Sequence, residues 1–174
     1  MGLENFVECG NIRLDRQLKF VAEIDKMTQV FRHTMLVDGS RRENDAEHSW
    51  HIALMIYLLK EYANEEIDVA KAMMMALIHD LVEIDAGDTY AYDAKGLETQ
   101  KERENKAANR IFGLLPSDQK EELIALFEEF ESCETPESKF AHVMDNLQPI
   151  LLNDCNNGKD WRLHGVNKSQ VLNR

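Results

Sequence analysis

The chain has 174 residues, 44% apolar and 30% charged, enough to build one core of ordinary size, so a single domain over 1–174 is expected. Acidic residues outnumber basic ones 32 to 20, and the formal net charge of −12 repels a phosphate polymer at long range. Nucleic acid is therefore excluded as an expected partner, whereas a small phosphate ester held by local basic groups or a cation is not.

Cys9, Cys133 and Cys155 are odd in number, far apart and without C-x-x-C spacing, so they read as reduced thiols rather than a zinc knuckle or redox pair. The apolar runs fall short of the ~18 residues of a membrane helix, and the first residues lack the pattern of a signal peptide. The expectation is a cytoplasmic protein with no membrane partner.

Only Pro116, Pro136 and Pro149 interrupt the helical periodicity, and no Val/Ile-rich alternating run occurs, so the predicted fold class is all-α: a compact bundle of about six or more helices. The spacing predicts a first helix over about Asn11 to Phe31, with Leu14, Leu18, Val21, Ile24 and Val30 as its packing stripe. Asp38 to Asn44 read as a loop, and a second helix from about Asp45 to Ala63 carries His48. The third, about Ile67 to Val82, is apolar nearly all round, Met73, Met74 and Met75 included, and is expected to be central.

Ile84 to Gly96 read as a loop leaving that central helix. Helices follow over about Leu97 to Leu115 and Asp118 to Glu131, the second with Ser117 as its N-cap, and a last one runs from about Pro136 through Phe140, Met144 and Leu151. The core is expected within about 14–152, and the polar stretch 153–174 takes no assignment.

An adjacent His-Asp pair, His79-Asp80, at the end of an apolar helix needs partners, because neither side chain is at home in an apolar neighbourhood. Imidazole and carboxylate together suit a borderline or hard divalent cation. Glu83 follows on about the same helical face, within reach of water at such an ion. Two other packing helices carry polar exceptions, His48 with His51 one turn on, and Asp145 with Asp154 beyond it. The residues alone leave open which of each pair ligates.

In the segments RRENDAEHSW, ALIHDLVEIDAGD and KFAHVMDNLQP, the order His, His-Asp, Asp over about Leu14 to Leu152 resembles the HD-domain superfamily of metal-dependent phosphohydrolases. It is similar above all to the branch with the 5′-deoxynucleotidases and the HD-domain-containing protein 2 group. The resemblance implies His48, His79, Asp80 and Asp145 as ligands of one divalent ion (Mn, Co, Zn, Fe, Ni or Mg), with Glu83 and Asp88 as catalytic carboxylates sharing the handling of the attacking water and of the leaving-group proton. Arg32 would contact phosphate or sugar, with Lys95 a second candidate. Next to it His33 stands where characterised deoxynucleotidases place a tryptophan against the sugar, a departure that bears on deoxyribose preference.

The implied activity is hydrolysis of a (deoxy)nucleoside 5′-monophosphate to nucleoside and phosphate, by an enzyme commonly found as a homodimer. Another phosphate ester, or binding of metal or nucleotide without turnover, are the alternatives.

Overall fold

The computed structural model describes residues 6–90 and 94–172. Asn11 opens α1 (Ile12–Ile24) by accepting a hydrogen bond from the Leu14 amide at 3.2 Å. The helix stops at Ile24, and after a 3-10 turn over Asp25–Gln29 the chain runs as β1 (Phe31–Met35), antiparallel to β2 (Arg42–Asn44). This hairpin replaces the predicted end of the first helix, and β2 takes the last three residues of the predicted loop, whose first part, Asp38 to Arg41, is the turn between the strands. Val30, Phe31 and Thr34 favour extended backbone, and Asp38-Gly39, with Gly39 at φ 65°, supplies the reversal.

Of the predicted packing stripe of α1, Leu14, Leu18 and Val21 face outward, exposed by 41, 40 and 58%, while Ile24 packs against the core. The buried side carries Asp15, Phe20 and Glu23 instead. Both acids have partners there: Asp15 accepts from the amides of Cys9 and Gly10, and Glu23 pairs with Arg110 at 2.8 Å and Lys26 at 2.7 Å.

Asn44 and Glu47 form a reciprocal capping box that starts α2 (Asp45–Leu59). Asp68 caps α3 (Val69–Ile78), which packs against both α2 and α7 (Pro136–Cys155), as a central helix should. Met75 is fully buried in it, but Met74 is 42% exposed and not core. Beyond Ile78 the path tightens into a 3-10 turn, His79–Val82, and α4 (Glu83–Ala86), so helical structure persists where a loop was expected from Ile84.

α5 (Ala94–Phe112) and α6 (Ser117–Ser132) follow. Ser117 is the first helical residue rather than the cap, because Pro116 itself holds the flanking extended conformation at ψ 150°. Thr135 and Ser138 form the capping box of α7. The stretch left unassigned contributes the end of α7, then α8 (Lys159–His164) and α9 (Lys168–Leu172). The first of these lies on the hairpin, where Lys159 Nζ donates to the Gly39 carbonyl at 2.6 Å.

Two apolar clusters fill the interior, one around Ile111, Phe112 and Val82, the other around Ile52, Ile56 and Met144. α3 serves both, through Ile78 in the first and Met75 in the second. His79-Asp80 comes next in the chain, so the junction of the two clusters is where its polar groups are held.

Candidate metal centre

His48 is completely buried on α2. Its Nε2 lies 2.9 Å from Asp145 Oδ1, and its Nδ1 lies 3.1 Å from Gln148 Oε1 and 3.6 Å from Glu43 Oε2. Gln148 in turn donates to Glu43 Oε1 at 2.5 Å, and its Nε2 lies 3.2 Å from His51 Nδ1. Asp145 and Gln148 are three residues apart on α7 and so share a helical face. With Nδ1–H directed at Gln148, His48 turns Nε2 to Asp145, where a metal ion would take the place of the proton shared between them.

His79 donates Nδ1–H to the Ala76 carbonyl at 2.8 Å, which turns Nε2 toward the carboxylates of Asp80 and Asp145. That Nε2 is buried, 3.0 Å from Asp80 Oδ1 but out of line for a hydrogen bond, and 3.8 Å from Asp145 Oδ1. Asp80 gives its other oxygen to Arg32, whose Nη1 donates at 2.7 Å. Arg32 also lies 3.5 Å from Asp45 and 3.9 Å from Asp145, and its Nε is buried without an acceptor.

Asp45, Glu83 and Asp88 form a second acidic grouping beside the first. One oxygen of each lies within 4.8 Å of the others, and Asp45 Oδ2 and Glu83 Oε2 are buried without partners. These carboxylates crowd. Burial, then the charge of Asp80, lifts the Asp45 carboxyl to about 7 against the pull of Arg32. Burial, then Asp80 and Asp45, raises Glu83 well above the usual range. Asp88 moves up in the same direction, chiefly through burial.

The imidazoles respond oppositely. Burial disfavours their charge, yet the Asp80 and Asp145 carboxylates outweigh it and lift His79 to about 10, while Asp145 and Glu43 raise His48. Burial opposes the charged Asp145, but His48 and His79 hold it well below the ordinary carboxylate range.

Such a field favours a cation. One atom each of His48, His79 and Asp145 lies within 4.8 Å of the others, and the orphaned His79 Nε2 is what a metal–nitrogen bond would satisfy. Asp80 Oδ1, beside His79 Nε2, completes a two-imidazole, two-carboxylate set, so a divalent ion fits these residues.

A cleft opens beside the centre, lined by Arg32, His33, Asp88, Tyr90, Asn146 and Trp161 among others. His33 packs against Tyr90 with ring centroids 4.3 Å apart, and burial and the charge of Arg42 hold its pKa below the ordinary value. Lys95 is exposed at the start of α5 and does not line this cleft, whereas Asp85 pairs with Arg110 and Arg41 with Glu47 on the surface. The structure thus gathers His48, His79, Asp80, Asp145, Arg32, Glu83 and Asp88, puts His33 at the rim and leaves Lys95 outside. His51 is the neighbour of Gln148 rather than of the centre.

Sequence reasoning missed Asp45, Glu43, Gln148 and the α8 side chains. Gln148 was findable from its i, i+3 spacing to Asp145. Asp45 and Glu43 sit in a charged stretch with no apolar pattern to set them apart.

Residues 24–174 match the HD domain family pattern, and the chain belongs to that family of helical proteins. Among solved structures it is similar to a predicted metal-dependent phosphohydrolase of Magnetospirillum magnetotacticum, with TM-score 0.90 and 49% identity over 97% of this chain and 84% of that one. A conserved hypothetical protein of Pyrococcus furiosus aligns at TM-score 0.63 and 27% identity over 90% of this chain and 95% of its own. Among curated proteins, the 5′-deoxynucleotidase HDDC2 of Homo sapiens is 30% identical over 140 residues, 80% of this chain, of whose own length the match spans 63%.

Proposed function

We propose that the chain is a metal-dependent 5′-nucleotidase that hydrolyses deoxynucleoside 5′-monophosphates to nucleoside and phosphate, with one divalent ion (Mn, Co, Zn, Fe, Ni or Mg) held by His48, His79, Asp80 and Asp145 of a single HD domain. The observation that carries it is the buried His48–His79–Asp145 grouping, edged by unpartnered carboxylate oxygens and open to a cleft that contains Arg32. The names of the human and Magnetospirillum relatives support the same reading.

A divalent ion held by these four residues would polarise a phosphoryl oxygen and lower the pKa of water beside it. Glu83, whose Oε2 is buried without a partner beside Asp45 and Asp88, is the carboxyl placed to receive the proton of the attacking water. Asp88, which lines the cleft, faces the leaving side and returns a proton to the 5′ oxygen. Arg32 is held in place by Asp80 through Nη1 and offers its buried, acceptor-free Nε to a phosphoryl oxygen. His33 would meet the sugar.

The exposed Leu14, Leu18 and Val21 on α1 support burial of that face in a homodimer, and the three free, exposed cysteines support a reducing cytoplasm. Among the described residues no helix is long and apolar enough to cross a membrane.

The test is phosphate release from ribo- and deoxyribonucleoside 5′-monophosphates by chelated and metal-restored protein, with Asp80→Ala and Glu83→Gln alongside. Release that returns with metal and is lost in both variants is expected, with deoxy substrates ahead. No release with any nucleotide and any of these ions overturns the assignment; release with ribo substrates ahead overturns the sugar preference alone.

A further inference from the structure

A second group of ligand-type side chains lies at the rim of the cleft, which His33 and Asp160 line. One atom each of His33 on β1 and of Asp160 and His164 on α8 falls within 4.8 Å of the others. Asp160 is 3% exposed, its Oδ1 lies 2.8 Å from His164 Nδ1, and the two are out of line for a hydrogen bond. His33 Nδ1 is buried with no hydrogen-bond partner. A buried carboxylate oxygen and a buried imidazole nitrogen, both aimed into the same small space and both without proper hydrogen bonds, are an arrangement that a folded chain avoids unless something fills it. The aromatic stack of His33, Tyr90 and His164 holds the rings together, and His164 Nδ1 lies 3.1 Å from the Asp160 backbone carbonyl, but His33 Nδ1 and Asp160 Oδ1 are left without partners.

We propose that His33, Asp160 and His164 bind a transition-metal ion, Zn²⁺ or Co²⁺, separate from the His48–His79 centre, and that this ion fastens α8 to the hairpin beside the cleft. Two imidazoles and one carboxylate suit these borderline ions, with the fourth position open to water. Tetrahedral ligands about 2.0–2.2 Å from the metal stand about 3.4 Å apart, so small side-chain movements close the set. The ion shares no ligand with the first centre. It works with the Lys159–Gly39 and Asn156–Leu36 hydrogen bonds, which already seat this end of the chain on the hairpin.

The test is equilibrium dialysis of the 174-residue chain against Zn²⁺, with His164→Phe, Asp160→Asn and Asp145→Ala. His164→Phe keeps a ring in the stack at an exposed residue of α8, so it tests the site even if Asp160→Asn proves unstable. The wild type should bind one more equivalent than His164→Phe, and Asp145→Ala should retain that equivalent. With Co²⁺, the intense visible bands of a four-coordinate ion should weaken in His164→Phe and persist in part in Asp145→Ala.

Trypsin cleavage at Arg162, exposed on α8, should slow about 100-fold at a free Zn²⁺ about 100 times Kd in the wild type, and not in His164→Phe. Equal Zn²⁺ stoichiometry and affinity in wild type and His164→Phe, or equal protection of both from trypsin, overturns the proposal. Loss of all binding in Asp145→Ala also overturns it, leaving the first centre alone.

Discussion

Gln148 is the side chain whose replacement separates packing from positioning most cleanly. It is wholly buried, with Oε1 at 3.1 Å from His48 Nδ1 and Nε2 donating to Glu43 Oε1 at 2.5 Å. Gln148→Met keeps an unbranched chain of nearly the same volume, so little cavity is created, but it deletes the hydrogen bonds to His48 and Glu43 along with the contact to His51. A buried polar group left unsatisfied costs about 1–3 kcal/mol, and two such groups, the His48 Nδ1–H and the Glu43 oxygen, set the loss at about 2–6 kcal/mol. For a chain of this length that lowers Tm by roughly 4–24 °C, at about 2–4 °C per kcal/mol.

Released from Gln148, His48 no longer presents Nε2 in a fixed direction, and affinity for a divalent ion should fall roughly 10–100-fold. Differential scanning calorimetry of the chelated protein and competition with a chromophoric chelator measure the two effects separately. A variant that melts within about 2 °C of wild type and binds the ion equally well would falsify the claim that Gln148 orients His48.

Metal-free protein should weaken in alkali. His79 is raised from 6.5 to about 10 in the fold, so the stability contributed by its charged form is fully present below pH 6.5 and is lost as pH rises toward 10. Thermal melts in chelator should therefore show a lower Tm at pH 9 than at pH 6, with the gap narrowed by added divalent ion; equal melts contradict the assignment. Arg32→Lys keeps a positive charge but not the planar fork, so phosphate release should fall at least about 10-fold with the fold retained, and an unchanged kcat/KM would remove Arg32 from the phosphate site. Thr135→Ala deletes the side-chain half of the α7 capping box and should cost about 1 kcal/mol with activity unaffected, read as a Tm lower by roughly 2–4 °C.

The residues of the candidate metal centre were legible because they violate the apolar pattern of the helices that carry them. His48, His79-Asp80 and Asp145 are polar exceptions on packing elements, and their order along the chain matched a known arrangement. The hairpin was not read, although Asp38-Gly39 is a turn signal, because each strand has only three to five residues and shows too little alternation to compete with neighbouring helical periods. The outward face of α1 was misread for a different reason. Its inward face is acidic, and only the fold reveals that Arg110, Lys26 and the amides of Cys9 and Gly10 satisfy those acids. The α8 segment gave no signal because it is short and polar, and it takes its place from contacts with the distant hairpin rather than from its own pattern.

His48 meets Asp145 across 97 residues of sequence, and Gln148 meets Glu43 across 105. Closing loops of that size is a late and entropically expensive event for a folding chain. Separate fragments, or an intermediate holding only α2 and α3, would lack the Asp145 and Gln148 side of the cage. A divalent ion held by these residues would therefore not seed the fold; it would act as a latch on the finished one, slowing unfolding far more than hastening folding.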